Sequence, residues 1–360
     1  MSRDRRKLRS GFTTGACAAA AAKAAALLLF TGKEPHTVEI PFPDGRRFRF
    51  TPHRFCLEKG RAVASVIKDA GDDPDVTNGA EIATAISMLG PEDKNHDLVL
   101  SAGEGVGTVT KPGLPVAVGE AAINPVPRRM IREAVTEAMD IAGCRTGLRI
   151  TVSVIGGEEL AAKTLNRRLG IVGGLSILGT TGIVRPVSAK AWTATITASM
   201  RVARAAGLDE VVLSTGRTSE RAVQELLSLP EEAYAMMGDY LEFSLREAAS
   251  QGFAKIHLAA MWGKICKAAL RIPQTHVRHG VLTPEELVDF LLENGVDTAT
   301  VQKLRGANTA REIHERLTAL ARQDIIELVC GHAHAYAEEV SGLPVSLYLV
   351  NSQKEVVVRV

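Results

Sequence analysis

The hydrophobic pattern of the first half of the chain predicts short strands mixed with a few helices. An Ala-rich apolar run ends at Gly32, and Thr13 or Thr14 can cap its start, so this run predicts a buried helix. A hairpin follows, with strands at 37–41 and 46–51 joined by a Pro-Asp-Gly turn. The pattern further predicts strands at 61–68, 97–101, 115–118 and 148–154, and helices at 79–89 and 127–142. This mixture is typical of an α+β domain.

Helices and strands alternate regularly in the second half. The predicted order is helix 189–206, strand 210–213, helix 220–227, strand 234–237, helix 241–251, strand 255–259 and helix 263–272. Mostly helical sequence then runs from 284 to 340, and a strand pair at 346–350 and 355–360 closes the chain. Such alternation predicts a parallel sheet with helical crossovers, a Rossmann-like α/β arrangement. We therefore predict an α+β domain at 1–187, which contains the Gly-rich motifs, and a Rossmann-like α/β domain at 188–360.

Composition narrows the class of protein. Of the 360 residues, 46% are apolar and 23% charged, which is ordinary for a folded globular chain. The 43 Lys and Arg nearly balance 41 Asp and Glu, and a net charge of +2 gives no electrostatic basis for binding nucleic acid. The five Cys are scattered and form no CxxC pair. This pattern predicts a protein of the reducing cytoplasm without a structural zinc site. With 32 Gly and 4% aromatics, backbone-built binding loops are favoured over aromatic platforms.

The N-terminus has some features of a secretory signal, because basic residues precede the apolar run. Lys23 lies within that run, Ala outnumbers Leu, and no small-x-small cleavage site precedes Gly32. The run is also shorter than the roughly 20 apolar residues that span a bilayer. A buried helix of a cytoplasmic protein is therefore the favoured interpretation, and no membrane contact is predicted.

Two polar segments flank this part of the chain. Thr13, Thr14 and Gly15 open the first helix, where hydroxyl and backbone N–H groups either bind a carboxylate or phosphate or simply cap the helix. An acidic loop at 69–75 follows a predicted strand and includes Asp69, Asp72 and Asp73. These carboxylates either contact a ligand or belong to a solvated turn. An EF-hand is excluded by the spacing.

Glycine-rich segments stand out next. Residues 101–108 contain Gly103, Glu104, Gly105 and Gly107 directly after a predicted strand, but lack the full dinucleotide fingerprint and its helix. Residues 156–159 and 170–184 form a second Gly-rich region, in which a Walker A loop is absent. So many glycines in an apolar stretch indicate close backbone contact with a ligand or with another element.

Further polar residues have both functional and structural interpretations. Asn124 precedes a Pro-rich helix start with Arg128 and Arg129, whose guanidinium groups either bind a carboxylate or lie in solvent. His332 and His334 cannot share a helix face, and the pair at 276 and 279 lacks acidic or Cys partners, so no metal site is predicted.

The order of these motifs resembles the cobalt-precorrin-5B C1-methyltransferase family (CbiD) of anaerobic cobalamin biosynthesis. The resemblance rests on LRSGFTTGACAAAAAKAA at 8–25, KDAGDDPDVTNGAEI at 68–82, GEGVGTVTKPGL at 103–114, GEAAINPVPRRMI at 119–131, GGEELAAKTLN at 156–166 and LGIVGGLSILGTTGIVRP at 169–186. The second half is less sharply similar, through STGRTSE at 214–220, MMGDY at 236–240 and GKICKAAL at 263–270. The stretch at 276–280 departs from the family pattern, so no role is transferred to it.

The resemblance implies methyl transfer from S-adenosylmethionine to C1 of cobalt-precorrin-5B, giving cobalt-precorrin-6A. A sulfonium donor has a good leaving group, so catalysis can rest on alignment of donor and ring carbon. We expect Asp72 and Asp73 as the catalytic carboxylates, one of which accepts a proton. The donor is expected at Thr13, Thr14, Gly15, Asp69, Gly103, Glu104, Gly105 and Gly107. The tetrapyrrole is expected at Asn124, Arg128, Arg129, Gly156, Gly157, Lys163, Gly179, Thr180, Thr181 and Gly182.

Two other functions stay open at this stage. A nucleotide-dependent enzyme would use the Gly-rich loops as phosphate cradles, and a non-catalytic carrier would bind the tetrapyrrole without releasing a demethylated donor. A homo-oligomer is a further possibility, and no protein-bound metal is predicted in any of these cases.

Overall fold

The computed structural model describes residues 8–90, 98–186, 188–274 and 282–360. Their contacts divide the chain into two compact units, unit 1 ending at Ser188 and unit 2 covering Ala189–Val360. Each unit has its own apolar core.

Helix α1 (Thr14–Thr31) lies in the core of unit 1. Thr13 is its N-cap and accepts a hydrogen bond from the Ala16 backbone at 3.2 Å, and Gly32 ends the helix in the left-handed conformation. Small alanine side chains let α2 (Pro125–Ala142) and the sheet approach the helix backbone. Although α1 is long and apolar enough to cross a membrane, 78% of that stretch is buried inside the protein. The predicted buried helix, its cap and its end are confirmed.

Unit 1 contains a five-stranded sheet against which α1 packs. In sheet order its strands are β4 (Phe55–Glu58), β5 (Arg61–Ile67), β6 (Glu81–Met88), β9 (Leu148–Val154) and β7 (Leu98–Ala102). β7 and β9 are parallel neighbours in this sheet, and the other described pairs of neighbours are antiparallel. The predicted hairpin is present as β2 (Val38–Pro41) and β3 (Arg47–Phe50).

Shorter elements complete unit 1. Two pairs of two-residue strands are antiparallel: β1 (Gly11–Phe12) with β11 (Ile183–Val184), and β8 (Thr108–Val109) with β10 (Ile171–Val172). The five-residue helix α3 (Gly157–Ala161) follows β9.

Two predicted elements of unit 1 are wrong. The helix predicted at 79–89 is strand β6, which lies inside the sheet with Ile82, Thr84 and Ile86 fully buried. Its alanines favour a helix, but pairing with β5 and β9 overrides that local preference. The strand predicted at 115–118 is a loop, although Val116 is buried in a small apolar cluster.

Unit 2 has a mostly parallel five-stranded sheet. In sheet order the strands are β13 (Tyr234–Met236), β12 (Glu210–Ser214), β14 (Lys255–Met261), β15 (Val345–Val350) and β16 (Val356–Arg359). The first four are parallel, and β16 is antiparallel to β15. The strands and helices that the alternating pattern predicts are present here, with bounds shifted by a few residues.

The helices of unit 2 pack on this sheet or on one another. They are α4 (Ala189–Ala205), α5 (Arg217–Leu227), α6 (Leu241–Ser250), α7 (Trp262–Ala269), α8 (Pro284–Glu293), α9 (Thr298–Leu304), α10 (Ala310–Ala319) and α11 (Gln323–Ser341), with a short 3₁₀ helix at Glu231–Ala233.

Candidate functional site

Four strand ends of the unit 1 sheet meet at one edge, and the loops there contain several of the sequence motifs. Because β6 is antiparallel to β5 and β9, and β7 is parallel to β9, three strands end and β6 begins at this edge. We name it the motif edge and define it as residues 68–80, 103–107 and 155–157. The acidic loop, the first Gly-rich loop and the Gly-Gly turn are thereby brought to the same edge.

The acidic loop binds the segment that precedes α1. The Arg9 guanidinium donates two hydrogen bonds to the Asp69 carboxylate, at 2.5 and 2.8 Å. The Arg9 backbone N–H donates to Asp72 Oδ2 at 2.7 Å, and the Asp72 N–H donates to the Arg9 carbonyl at 2.9 Å. The hydrogen bonds from Arg9 lower the pKa of Asp69. Two of the carboxylates predicted to contact a ligand therefore also hold the N-terminal segment.

A buried ion pair between Lys68 and Asp75 anchors the same loop. The Lys68 side chain is 1% exposed and donates to Asp75 Oδ2 at 2.5 Å. Asp75 Oδ1 accepts hydrogen bonds from the N–H and the hydroxyl of Thr77, at 2.8 and 2.6 Å. Burial raises the pKa of Asp75, but the hydrogen bonds from Lys68 and Thr77 outweigh it, so that the pKa is lowered. These contacts thus fix the loop that contains the exposed Asp72 and the half-buried Asp73.

The glycines of the first Gly-rich loop bring three backbone segments together. A Cβ on Gly105 would lie 2.0 Å from the Val154 carbonyl oxygen, and one on Gly157 would lie 2.2 Å from the Gly105 oxygen. A Cβ on Gly103 would meet Ser153 Oγ at 2.1 Å, and one on Gly107 would meet Ile171 Cγ2 at 2.4 Å. The absence of side chains at these glycines therefore allows close contact between elements of the protein itself.

The segment at 175–182 links the motif edge to the start of α1. Leu178 N–H donates to the Thr14 hydroxyl at 3.0 Å, and the Thr13 N–H donates to the Gly182 carbonyl at 2.9 Å. A Cβ on Gly179 would lie 2.4 Å from Thr13 Oγ1. Thr13 and Thr14 are buried, so their polar groups serve the helix cap and this segment.

The start of α2 joins the same assembly. A Cβ on Gly15 would lie 2.7 Å from Pro127 Cγ, so the missing side chain allows the two helices to approach closely. Asn124 is the N-cap residue of α2, and its N–H donates to the Ile177 carbonyl at 2.9 Å.

The two arginines at the start of α2 have different surroundings. Arg128 Nε donates to the Ile123 carbonyl at 2.6 Å, and Arg128 Nη2 donates to Glu120 Oε2 at 2.9 Å. Arg129 is exposed, with a looser ion pair to Glu133 at 3.7 Å. Arg129 is thus the arginine with more freedom to bind an anion.

The other predicted site residues lie at the surface. Glu104, Gly156, Lys163, Thr180 and Thr181 are exposed, and Gly156 starts α3 with a φ of 67°. Among these, Lys163 offers an ammonium group and Glu104 a carboxylate to a ligand from solvent.

Exposed apolar side chains next to the motifs escaped the sequence prediction. Ile155 is 54% exposed, Leu178 48% and Val76 42%. Ile155 and Leu178 each directly precede a glycine of a motif, which is the signal that could have identified them. Arg9 also escaped prediction, because its partners lie 60 and more residues away.

Other groups with catalytic or metal-binding potential are engaged elsewhere. His334 Nε2 lies 2.8 Å from the Val345 carbonyl oxygen, and the His332 ring packs edge-on against Phe290. Burial raises the pKa of Cys17 to about 12, so it stays a thiol. His276 and His279 lie outside the described residues. Among the residues that are described, no group of three or more His, Cys, Asp or Glu side chains could hold a metal ion.

The fold and the motif edge define a two-unit protein of mixed α and β structure, built in its first unit around glycine-rich loops. The sequence model of CbiD matches residues 1–186, and that of the CbiD C-terminal domain matches residues 274–360. The chain belongs to the CbiD family.

Similar proteins are named for one reaction. A protein of Desulfotalea psychrophila named cobalt-precorrin-5B C(1)-methyltransferase is 56% identical, over 98% of both chains. One of the same name from Geotalea daltonii is 50% identical, over 86% of both. A crystal structure titled cobalamin biosynthesis protein (cbiD), from Archaeoglobus fulgidus, is 26% identical, covers 80% of this chain and 85% of its own, and has a TM-score of 0.41.

Proposed function

We propose that the protein transfers a methyl group from S-adenosylmethionine to C1 of cobalt-precorrin-5B, giving cobalt-precorrin-6A in anaerobic cobalamin biosynthesis. The observation that carries this proposal is the identity of 56%, over 98% of both chains, with a protein named for that activity. Membership of the CbiD family supports it independently of any single relative.

The exposed groups of unit 1 support this function chemically. A tetrapyrrole with acetate and propionate groups needs cations, and Arg129 and Lys163 are exposed. Its large ring needs apolar surface, which Ile155 and Leu178 offer. Asp72 and Asp73 stay our candidates for the carboxylate that accepts a proton. Alignment of donor and ring carbon supplies the remaining catalysis, because the sulfonium is already a good leaving group.

We also propose the finer fold assignment, an α+β domain at 1–187 and a Rossmann-like domain at 188–360. Four parallel neighbouring strands in unit 2, of which β12, β13 and β14 follow one another through α5 and α6, support the second part. A cytoplasmic location is proposed as well, and the burial of α1 in the core of unit 1 supports it. A homo-oligomer stays a hypothesis that light scattering of the purified protein would test.

The test is an assay of the purified protein with cobalt-precorrin-5B and S-adenosylmethionine. We expect S-adenosylhomocysteine by liquid chromatography and a tetrapyrrole that has gained one methyl group by mass spectrometry. Asp72→Asn and Asp73→Asn should reduce kcat, whereas Asp44→Asn, in the turn between β2 and β3, should not. Tetrapyrrole binding without S-adenosylhomocysteine would instead identify a carrier, and ATP consumption would identify a nucleotide-dependent enzyme.

Unchanged methyl transfer and unchanged donor affinity in both acidic-loop variants would remove their assignment while leaving the proposed reaction intact.

A further inference from the structure

The parallel sheet of unit 2 has a point at which its strand order reverses. The chain leaving β12 passes through α5 to β13 on one side, while the chain leaving β14 continues to β15 on the other. The connections after β12 and β14 therefore diverge beyond their carboxyl ends. In open α/β sheets, ligands bind in the crevice outside the strands at such a point.

A pair of opposite charges spans this crevice. Asp239 follows β13, and Lys264 lies in the first turn of α7 after β14; their side chains form an ion pair. Because β12 lies between β13 and β14, the pair passes over the carboxyl end of β12. The Asp239 and Lys264 side chains are 25% and 30% exposed, so both are partly shielded from solvent.

An exposed aromatic ring lies at the same end of the sheet. Trp192, one of two tryptophans in the chain, is 43% exposed. Its ring lies 3.7 Å from the position that a Cβ on Gly238 would take, next to Asp239. Met261, the last residue of β14, is 39% exposed. A solvent-facing indole of this kind is suited to stacking against a flat heterocycle.

The loop after β12 completes the crevice. Ser214 donates to Glu220 Oε2 at 3.2 Å, and both residues are buried. This contact joins the end of β12 to α5 and fixes the intervening turn, which presents the exposed Arg217. The turn at 214–219 has one glycine, Gly216, where a dinucleotide fingerprint requires three, so a single nucleoside fits the chemistry better than a dinucleotide.

We infer that the crevice formed by residues 215–217, 238–239 and 261–264, with Trp192 beside it, binds the adenosyl part of the methyl donor. Asp239 accepts hydrogen bonds from the ribose hydroxyls, and Trp192 stacks on the adenine. Arg217 and Lys264 bind the carboxylate of the methionine part. This inference rests on the proposed function, because that function supplies the donor. It replaces the donor site that the sequence predicts at residues 13–15, 69 and 103–107.

Binding of S-adenosylhomocysteine to the full chain, measured by isothermal titration calorimetry, tests the inference. Asp239→Asn weakens a charge-assisted hydrogen bond, and we expect the Kd to rise about 10-fold or more. Trp192→Ala should raise the Kd about 5-fold or more through lost stacking. Because Trp192 is exposed, this second variant keeps the test valid even if Asp239→Asn disturbs folding.

Asp209→Asn is the matched control. Asp209 pairs with Arg204 just before β12, at the opposite end of that strand, so its substitution should leave the Kd unchanged. Wild-type affinity in both Asp239→Asn and Trp192→Ala, with methyl transfer retained, would overturn this site and leave the proposed function standing. A wild-type protein that binds ATP and neither binds S-adenosylhomocysteine nor transfers a methyl group would overturn both.

Discussion

Substitution of Asp75 by Asn tests whether the buried ion pair between Lys68 and Asp75 stabilises unit 1 against unfolding. The variant leaves the ammonium of Lys68, whose side chain is 1% exposed, without a charged partner. Removing one member of a buried pair typically costs about 3–5 kcal/mol. Because the Asp75 side chain is 24% exposed, we expect the lower end, about 3 kcal/mol. For a unit of this size, that loss lowers the unfolding midpoint by roughly 6–12 °C.

The dependence on pH follows from the lowered pKa of Asp75. The folded state binds this proton less readily than the unfolded chain, so the carboxylate stabilises the fold fully above about pH 4, the ordinary pKa of Asp. The contribution is lost as the pH falls through the lower pKa of the folded state. The difference between wild type and Asp75→Asn should therefore be constant near neutrality and shrink in acid.

Far-UV circular dichroism during thermal unfolding is the appropriate measurement, because every Trp and Tyr of the sequence lies after residue 190. Fluorescence would report unit 2 alone. The double variant Lys68→Met, Asp75→Leu should recover much of the loss, since it removes both charges. Asp44→Asn, in an exposed pair with Arg46, should leave the midpoint unchanged. A loss below about 1 kcal/mol for Asp75→Asn would refute the reasoning.

Other substitutions test further contacts. Gly105→Ala should prevent folding of unit 1, because its Cβ would lie 2.0 Å from the Val154 oxygen. Gly173→Ala, with positive φ but open space, should cost only roughly 1 kcal/mol. A Gly105→Ala protein that shows the same cooperative thermal unfolding of unit 1 as Gly173→Ala would contradict this. In unit 2, burial lowers the pKa of His257, which the hydrogen bond to Glu210 only partly offsets. The unfolded chain then binds more protons, so the stability of unit 2 should decrease as the pH falls below about 6.5; a flat fluorescence-detected profile from about pH 7.5 to 5 would exclude this.

The sequence predicts correctly those elements whose boundaries are set by residues close to them along the chain. The Thr13 cap and Gly32 end of α1 follow from side-chain and backbone preferences within one turn. Strand β6 was not predicted, because Ala83 and Ala85 locally favour a helix. Hydrogen bonds to the two neighbouring strands override this preference. That pairing is a tertiary property, which a short window of sequence does not contain.

The candidate site shows the same division. The sequence identified the acidic and Gly-rich segments, but not which of their groups contact other protein segments. Arg9 reaches Asp69 across 60 residues of chain, and Gly105 meets the end of a strand nearly 50 residues later. Lys163, which the sequence predicts to bind the tetrapyrrole, is exposed at the surface.

The burial of α1 makes it a natural reporter of the stability of unit 1. Its backbone amides are hydrogen-bonded and covered by α2 and the sheet, so exchange with deuterium requires that the core around the helix opens. Mass spectrometry of peptides from residues 14–31 would thus measure the opening free energy of this core. In a unit without tryptophan or tyrosine, the alanine helix provides the local signal that the side chains cannot.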